Sequence, residues 1–149
     1  MALVALACAA VTVGVYVGQG SDNQSAGLNE ALGLDGRAPT RHFRMDIVHD
    51  LGLNAGDEVH RASVTDPQVI ARVADLLDHL GPMPKGPIAC PNDDGQAFRL
   101  TFTSGGAPAA KATVSVTGCP TASVSIRGHQ PRVYQSTQEL SRLLTRLDP

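Results

Sequence analysis

After His42, apolar residues recur at every second position through much of the chain, and at helical spacing in two shorter runs. Phe43, Met45 and Ile47 alternate with Arg44 and Asp46, the period-two signature of a strand with one buried face. Asp50 to Asp57 is a turn-rich loop, and Glu58 to Thr65 reads as a second, weaker strand. Val69, Ile70, Val73, Leu76, Leu77 and Leu80 then line up as one apolar stripe of a helix. Thr65 or Asp66 caps that helix, Pro67 supplies the first-turn φ, Thr65 with Gln68 fits a capping box, and Gly81-Pro82 stops it. Arg72, Asp75, Asp78 and His79 fall on or beside its other face and are expected in solvent.

A Pro/Gly loop, Met83 to Ala89, leads to Cys90. Phe98, Leu100 and Phe102 point one way from the next strand and Arg99, Thr101 and Thr103 the other. Beyond the turn Ser104-Gly105-Gly106-Ala107-Pro108, Ala112, Val114 and Val116 alternate with Lys111, Thr113 and Ser115. This is a β-hairpin with one wet face, and a cysteine stands at each outer end, Cys90 and Cys119, positioned to staple it with a disulfide. The cysteines differ in parity: Cys90 is even like Phe98, whereas Cys119 is odd against Val114. An extra residue near Gly118 or a break at Pro91–Gly95 is therefore expected. Ala122, Val124 and Ile126 add a third strand, Gly128 to Pro131 turns the chain, and Arg132 to Gln135 forms a short edge strand. A last helix carries the stripe Leu140, Leu143, Leu144 and Leu147, with a Ser136/Glu139 capping box and with Arg142 and Arg146 toward its negative end. The predicted order, β-β-α-β-β-β-β-α, is an α+β two-layer sandwich: an antiparallel sheet with two amphipathic helices on one face.

The segment before His42 has a different character. Residues 1–18 contain no charge and fall between the length of a signal-peptide core and that of a full membrane span, so they read as a signal peptide or an N-terminal membrane anchor. A lipidated Cys8 is a third reading. Residues 19–41 are polar and read as a flexible linker reaching roughly 25 Å, within which Leu28, Leu32 and Leu34 suffice for one short helical turn. Residues 42–149 form the folded domain.

Composition narrows the chemistry. Of the 149 residues 42% are hydrophobic but 3% aromatic, with no Trp, so the core is aliphatic and stacking platforms for bases or sugars are scarce. A formal net charge of -2 argues against binding a phosphate backbone. His42 and His49, seven apart, are expected on opposite sides of a strand, and His60 shares a face with Glu58 as a candidate hydrogen-bonded pair. His79 lies in a last helical turn, and His129 in a turn. No His-Glu-x-x-His, Cys-x-x-Cys or helical His pair occurs, so none of the five His is assigned to a metal or to catalysis, and no cofactor is implied. Asn92-Asp93-Asp94-Gly95 lacks the spacing of a calcium loop and reads as a β-turn. No Gly-x-Ser-x-Gly elbow or phosphate-cradling Gly-rich loop is present.

From Val64 to Leu147 the chain resembles a family of small exported proteins of high-G+C Gram-positive bacteria with no assigned function. The shared pattern is Asp-Pro opening a helix, a Pro/Gly loop, Cys-Pro, a Leu-x-Phe strand, a second strand ending Gly-Cys, and a terminal helix. The resemblance implies export and an intact Cys90–Cys119 disulfide, and no activity. The Cys-Pro before a strand, with a second Cys some 30 residues on, is also similar to subtilisin-inhibitor-type proteins, whose second disulfide this chain lacks. The expectation is an extracytoplasmic structural or protein-interaction module without catalytic activity, secreted or tethered through its N-terminal segment, whose partner is a protein or cell-envelope component and not nucleic acid. The alternative is a secreted protease inhibitor using the loop Cys90 to Asp94.

Overall fold

A computed structural model of the protein describes residues 27–34, 42–55, 58–90 and 92–148. The expected leader, and most of the expected linker, lie outside the described residues. Among the described residues no helix is long and apolar enough to cross a membrane.

Seven strands make one antiparallel sheet: β1 (Phe43–Asp50), β2 (Val59–Val64), β3 (Gly81–Pro82), β4 (Ala97–Ser104), β5 (Ala107–Ser115), β6 (Thr121–Ile126) and β7 (Arg132–Gln135). Their order across the sheet is β2-β1-β4-β5-β6-β7-β3. Among the described residues three α-helices complete the fold: α1 (Leu28–Leu32), α2 (Pro67–Asp78) and α3 (Gln138–Leu147). The α+β architecture expected from the alternation is the one observed. The sheet extends one strand past β7, because Gly81 and Pro82, which end α2, pair with Gln135 and Tyr134 and cover what had been expected as an edge.

Strand alternation sorts the two faces. Phe43, Met45 and Ile47 of β1, Phe98, Leu100 and Phe102 of β4, Ala110, Ala112 and Val114 of β5, and Ala122 and Val124 of β6 all point into one core. Ile70, Val73, Ala74 and Leu77 of α2 and Leu140 and Leu144 of α3 close that core from above. The opposite face carries hydroxyls and ion pairs: Arg44 donates to Asp46, Ser63 donates to the other Asp46 oxygen, and Arg99 bridges to Asp50. The β4–β5 turn places Gly105 and Gly106 at φ +60 and +84, as a two-residue hairpin of this hand requires. The register shifts between Phe102 and Thr103, leaving Ala109 as a bulge beside Pro108, a position where a strand tolerates proline. The parity of the two cysteines is resolved elsewhere, by left-handed residues Asn92, Gly95 and Gly118 between the strand ends and the disulfide.

Three local expectations are corrected. Leu28 and Leu32 belong to the core, not to a flexible linker; both are almost wholly buried. Asp78 is not in solvent but is buried at the end of α2, where its two carboxylate oxygens accept from the backbone N–H groups of Leu28 and Asn29 at 2.6 and 2.8 Å. Gly27, the N-cap of α1, has no side chain to satisfy those donors, so Asp78 caps α1 from 50 residues away, and its charge meets the positive helix end. The N-cap of α3 is Thr137, whose hydroxyl accepts from Leu140 N–H, in place of the expected Ser136. Glu139 is free of any capping box and pairs instead with Arg72, tying α3 to α2.

Because α1 contributes to the core, Leu32→Ala is expected to lower the unfolding free energy by about 2–5 kcal/mol in a denaturant titration. A change under about 0.5 kcal/mol, the size typical of a surface position, would show that α1 does not belong to the packed unit.

Candidate functional site

One rim of the sheet gathers the features that the sequence singles out. The C-terminal ends of β1 and β5 and the N-terminal ends of β2 and β4 meet there, so the β1–β2 loop, the segment after Cys90 and the segment around Gly118 are neighbours. Cys90 and Cys119 are joined in the expected disulfide, with Cα atoms 4.8 Å apart.

The loop beyond Cys90 is exposed at Cys90, Asn92 and Asp93 yet tightly held. Asp93 accepts from Gly95 N–H at 3.0 Å and Asp94 from Gln96 N–H at 3.1 Å, two successive turns closed by aspartate side chains. Asp94 also accepts from the Thr117 hydroxyl, and its carbonyl accepts from Leu53 N–H at 2.8 Å. The carboxylates of this Asn-Asp-Asp-Gly segment are therefore engaged in building a turn, as expected. Two glycines let the chains close up. A Cβ at Gly118 would stand 2.7 Å from the Asp93 side chain, and one at Gly52 would stand 2.7 Å from the Asp94 carbonyl oxygen. Both have positive φ as well.

On the helix-covered side of the same rim lies a cluster that the sequence reading did not assemble. Register pairs His49 of β1 with His60 of β2, and His49 with Phe98 of β4. All three side chains sit on the core face, and the His49 ring stacks on Phe98 at 4.1 Å. Asp148, at the C-cap of α3, reaches down onto both imidazoles. Nδ1 of His49 donates to its Oδ2 at 2.6 Å and Nδ1 of His60 to the same oxygen at 3.2 Å. A carboxylate only accepts, so each ring carries its hydrogen on Nδ1. Burial pushes the Asp148 carboxyl up, but the hydrogen bonds and charge of the two imidazoles outweigh it and hold the group below the usual carboxylate range. His49 and Asp148 are buried or nearly so, while the His60 side chain is 36% exposed. Two buried atoms, His49 Nε2 and Asp148 Oδ1, have no hydrogen-bond partner.

The expected His60–Glu58 pair is not formed. Glu58 precedes β2 and is exposed at the rim, whereas Asp148 approaches from the helix layer toward which His60 points. His42 lies just before β1, at the opposite end of that strand from His49. His79 is the C-cap of α2, where its Nδ1 donates to the Asp75 carbonyl at 2.8 Å, the dipole-compatible place expected for it. His129 stays in its turn. A cleft of about 620 Å³ also opens at the far end of β1, lined by His42, Arg44, Thr65, Pro67, Thr103 and Pro108 among others. It does not touch the His49–His60–Asp148 cluster.

No family model, curated protein or solved structure matches the chain.

The disulfide closes a loop spanning a sequence separation of 29. Peptide mapping without reductant is expected to yield Cys90 and Cys119 as one linked pair. Replacing both by Ser is expected to destabilise the fold by about 3–4 kcal/mol. Recovery of both as free thiols would remove the staple from the account.

Proposed function

We propose that this protein is an extracytoplasmic binding module that presents the Cys90–Asp94 loop to a protein or envelope component and performs no catalysis itself. The observation that carries this reading is a loop both exposed and pinned, by the disulfide on one side and by Asp94 to Thr117 and Leu53 on the other. A loop ordered before it meets a partner loses little conformational entropy on binding. The open sheet face offers a poorer surface. It is dominated by hydroxyls and paired charges, among them Thr101, Thr113, Arg44–Asp46 and Arg99–Asp50, with Val133 of β7 as an exposed aliphatic side chain.

The location part of the proposal has two supports. A disulfide persists in oxidising compartments. Residues 1–18 are apolar, as the core of an export signal or a membrane anchor is, and the Cys-Pro…Gly-Cys frame resembles that of exported proteins. Release or tethering then follows from whether that segment is cleaved.

The inhibitor reading uses the same loop and is favoured by the same pinning. The left-handed backbone at Asn92, φ 56, weighs against it, because a substrate-like segment enters a protease cleft extended.

A photo-crosslinking side chain placed at Asn92 tests the proposal against one placed at Thr101, in the full chain in its native envelope. A discrete adduct at Asn92, absent at Thr101 and lost when Cys90 and Cys119 are replaced by Ser, is expected. Adducts at Thr101 alone would move the binding surface to the open sheet. Stoichiometric inhibition of subtilisin by the purified protein would replace this reading with the inhibitor.

A further inference from the structure

We propose that His49, His60 and Asp148 form a binding site for a late first-row divalent transition ion, Zn²⁺ foremost. Each residue brings one ligand atom, and the three atoms lie within 4.8 Å of one another. Ligands held about 2.0–2.2 Å from a tetrahedral ion stand about 3.3 Å apart. The two imidazole nitrogens are 2.6 and 3.2 Å from the shared Asp148 oxygen, so these two edges of the triangle reach ligand spacing by lengthening less than about 1 Å. Two imidazoles with one carboxylate select for this group of metals. Ca²⁺ and Mg²⁺ require an oxygen-rich shell that the cluster does not supply.

Three further features separate this cluster from an ordinary buried histidine with a partner. First, the polar groups outnumber their bonds. One carboxylate oxygen serves both rings while the other, Asp148 Oδ1, is buried without a partner. A divalent ion takes the place of the two Nδ1 hydrogens, each ring then carrying its hydrogen on Nε2, engages the spare oxygen and offsets the carboxylate charge. Second, the ligands are oriented before any ion arrives. His49 is fixed by stacking on Phe98 at 4.1 Å and by its place in the middle of the β2-β1-β4 ladder. These contacts hold the ring in one orientation with no ion present. Third, the site has a door. The half-exposed His60 ring leaves one side open to water, consistent with three protein ligands and a solvent ligand at the fourth position.

The ligands come from β1, β2 and the end of α3, with 99 and 88 residues separating Asp148 from the two histidines. An ion bound there staples the C-terminal helix to the β1–β2 edge of the sheet. Metal binding is therefore coupled to the stability of the whole fold, and a saturating ion raises the melting temperature by mass action. This inference does not depend on the loop-presenting function, which needs no metal.

The test uses the full chain, disulfide intact, without a polyhistidine tag and stripped with chelator. Titration calorimetry with Zn²⁺ is expected to show one equivalent bound, with a matching rise in melting temperature. Co²⁺ is expected to give the visible absorption of a four-coordinate nitrogen/oxygen site. Ca²⁺ and Mg²⁺ are expected to do neither. His60→Gln, at the most exposed position of the cluster, should weaken Zn²⁺ binding at least about tenfold. Asp148→Asn should do the same, while His79→Gln and His42→Gln leave it unchanged. Absence of one-equivalent Zn²⁺ binding, or binding retained in both His60→Gln and Asp148→Asn, overturns the proposal.

Discussion

The alternation of β1 is the constraint from which the rest of the rim follows. Phe43, Met45 and Ile47 must face the helices to fill an aliphatic core, and strand geometry then sends the next odd residue, His49, to the same side. An imidazole there cannot be left unpaired without a large desolvation cost. The fold meets that demand with a hydrogen bond from His49 Nδ1 to the Asp148 carboxylate descending from α3, and packs the ring against Phe98 and beside His60. A single polar residue at an inward position thus draws the last turn of the chain onto the edge of the sheet.

The same logic operates at α1. Five residues are too few to hold a helix in water, and its first N–H groups have no local cap. Asp78 at the end of α2 supplies both the acceptors and the charge, while Leu28 and Leu32 supply the burial. In both places a carboxylate at the end of one helix stabilises an element distant in sequence. The helix layer is held to the sheet by apolar contact, and its ends are positioned by two aspartates, Asp78 and Asp148. On the opposite side of the His49 rim, the disulfide and the Gly52 and Gly118 close approaches hold the loops that follow β1 and precede β4. Two independent fastenings, one covalent and one polar, therefore meet at one end of the sheet.

What the sequence made legible is what local chemistry determines. Period-two alternation located β1, β4, β5 and β6. Asp66-Pro67 and Gly81-Pro82 bounded α2, Gly105-Gly106 placed the hairpin turn, and hairpin geometry paired Cys90 with Cys119. The cluster was not legible, because it depends on registers and distances that no local pattern encodes. Whether His49 faces His60 is decided by the length and path of the loop from Asp50 to Val59, where a one-residue change would pair His49 with another β2 residue. Asp148 lies next to the chain's last residue, 99 positions from His49, and has no motif around it. Glu58 was the nearer partner for His60 in sequence, yet it sits before the strand rather than in the helix layer. A signal did exist in hindsight: an inward-facing His at an odd position of β1 calls for a polar partner, and β2 offers one His of matching face. Asp78 is buried for a related reason, since a helix that packs against both a sheet and a second short helix buries more of its circumference than a single apolar stripe suggests.

The end of α3 is held to the sheet most directly by His49 and Asp148 acting as one unit. A double-mutant cycle with His49→Gln and Asp148→Asn, followed by urea unfolding in chelator, measures that coupling without reference to any ion or partner. Removing either residue should forfeit most of what removing both forfeits, with a non-additivity of about 1 kcal/mol or more. Additive effects within about 0.3 kcal/mol would mean that the two side chains do not depend on each other, and would contradict the claim that the buried imidazole holds the end of α3 to the sheet.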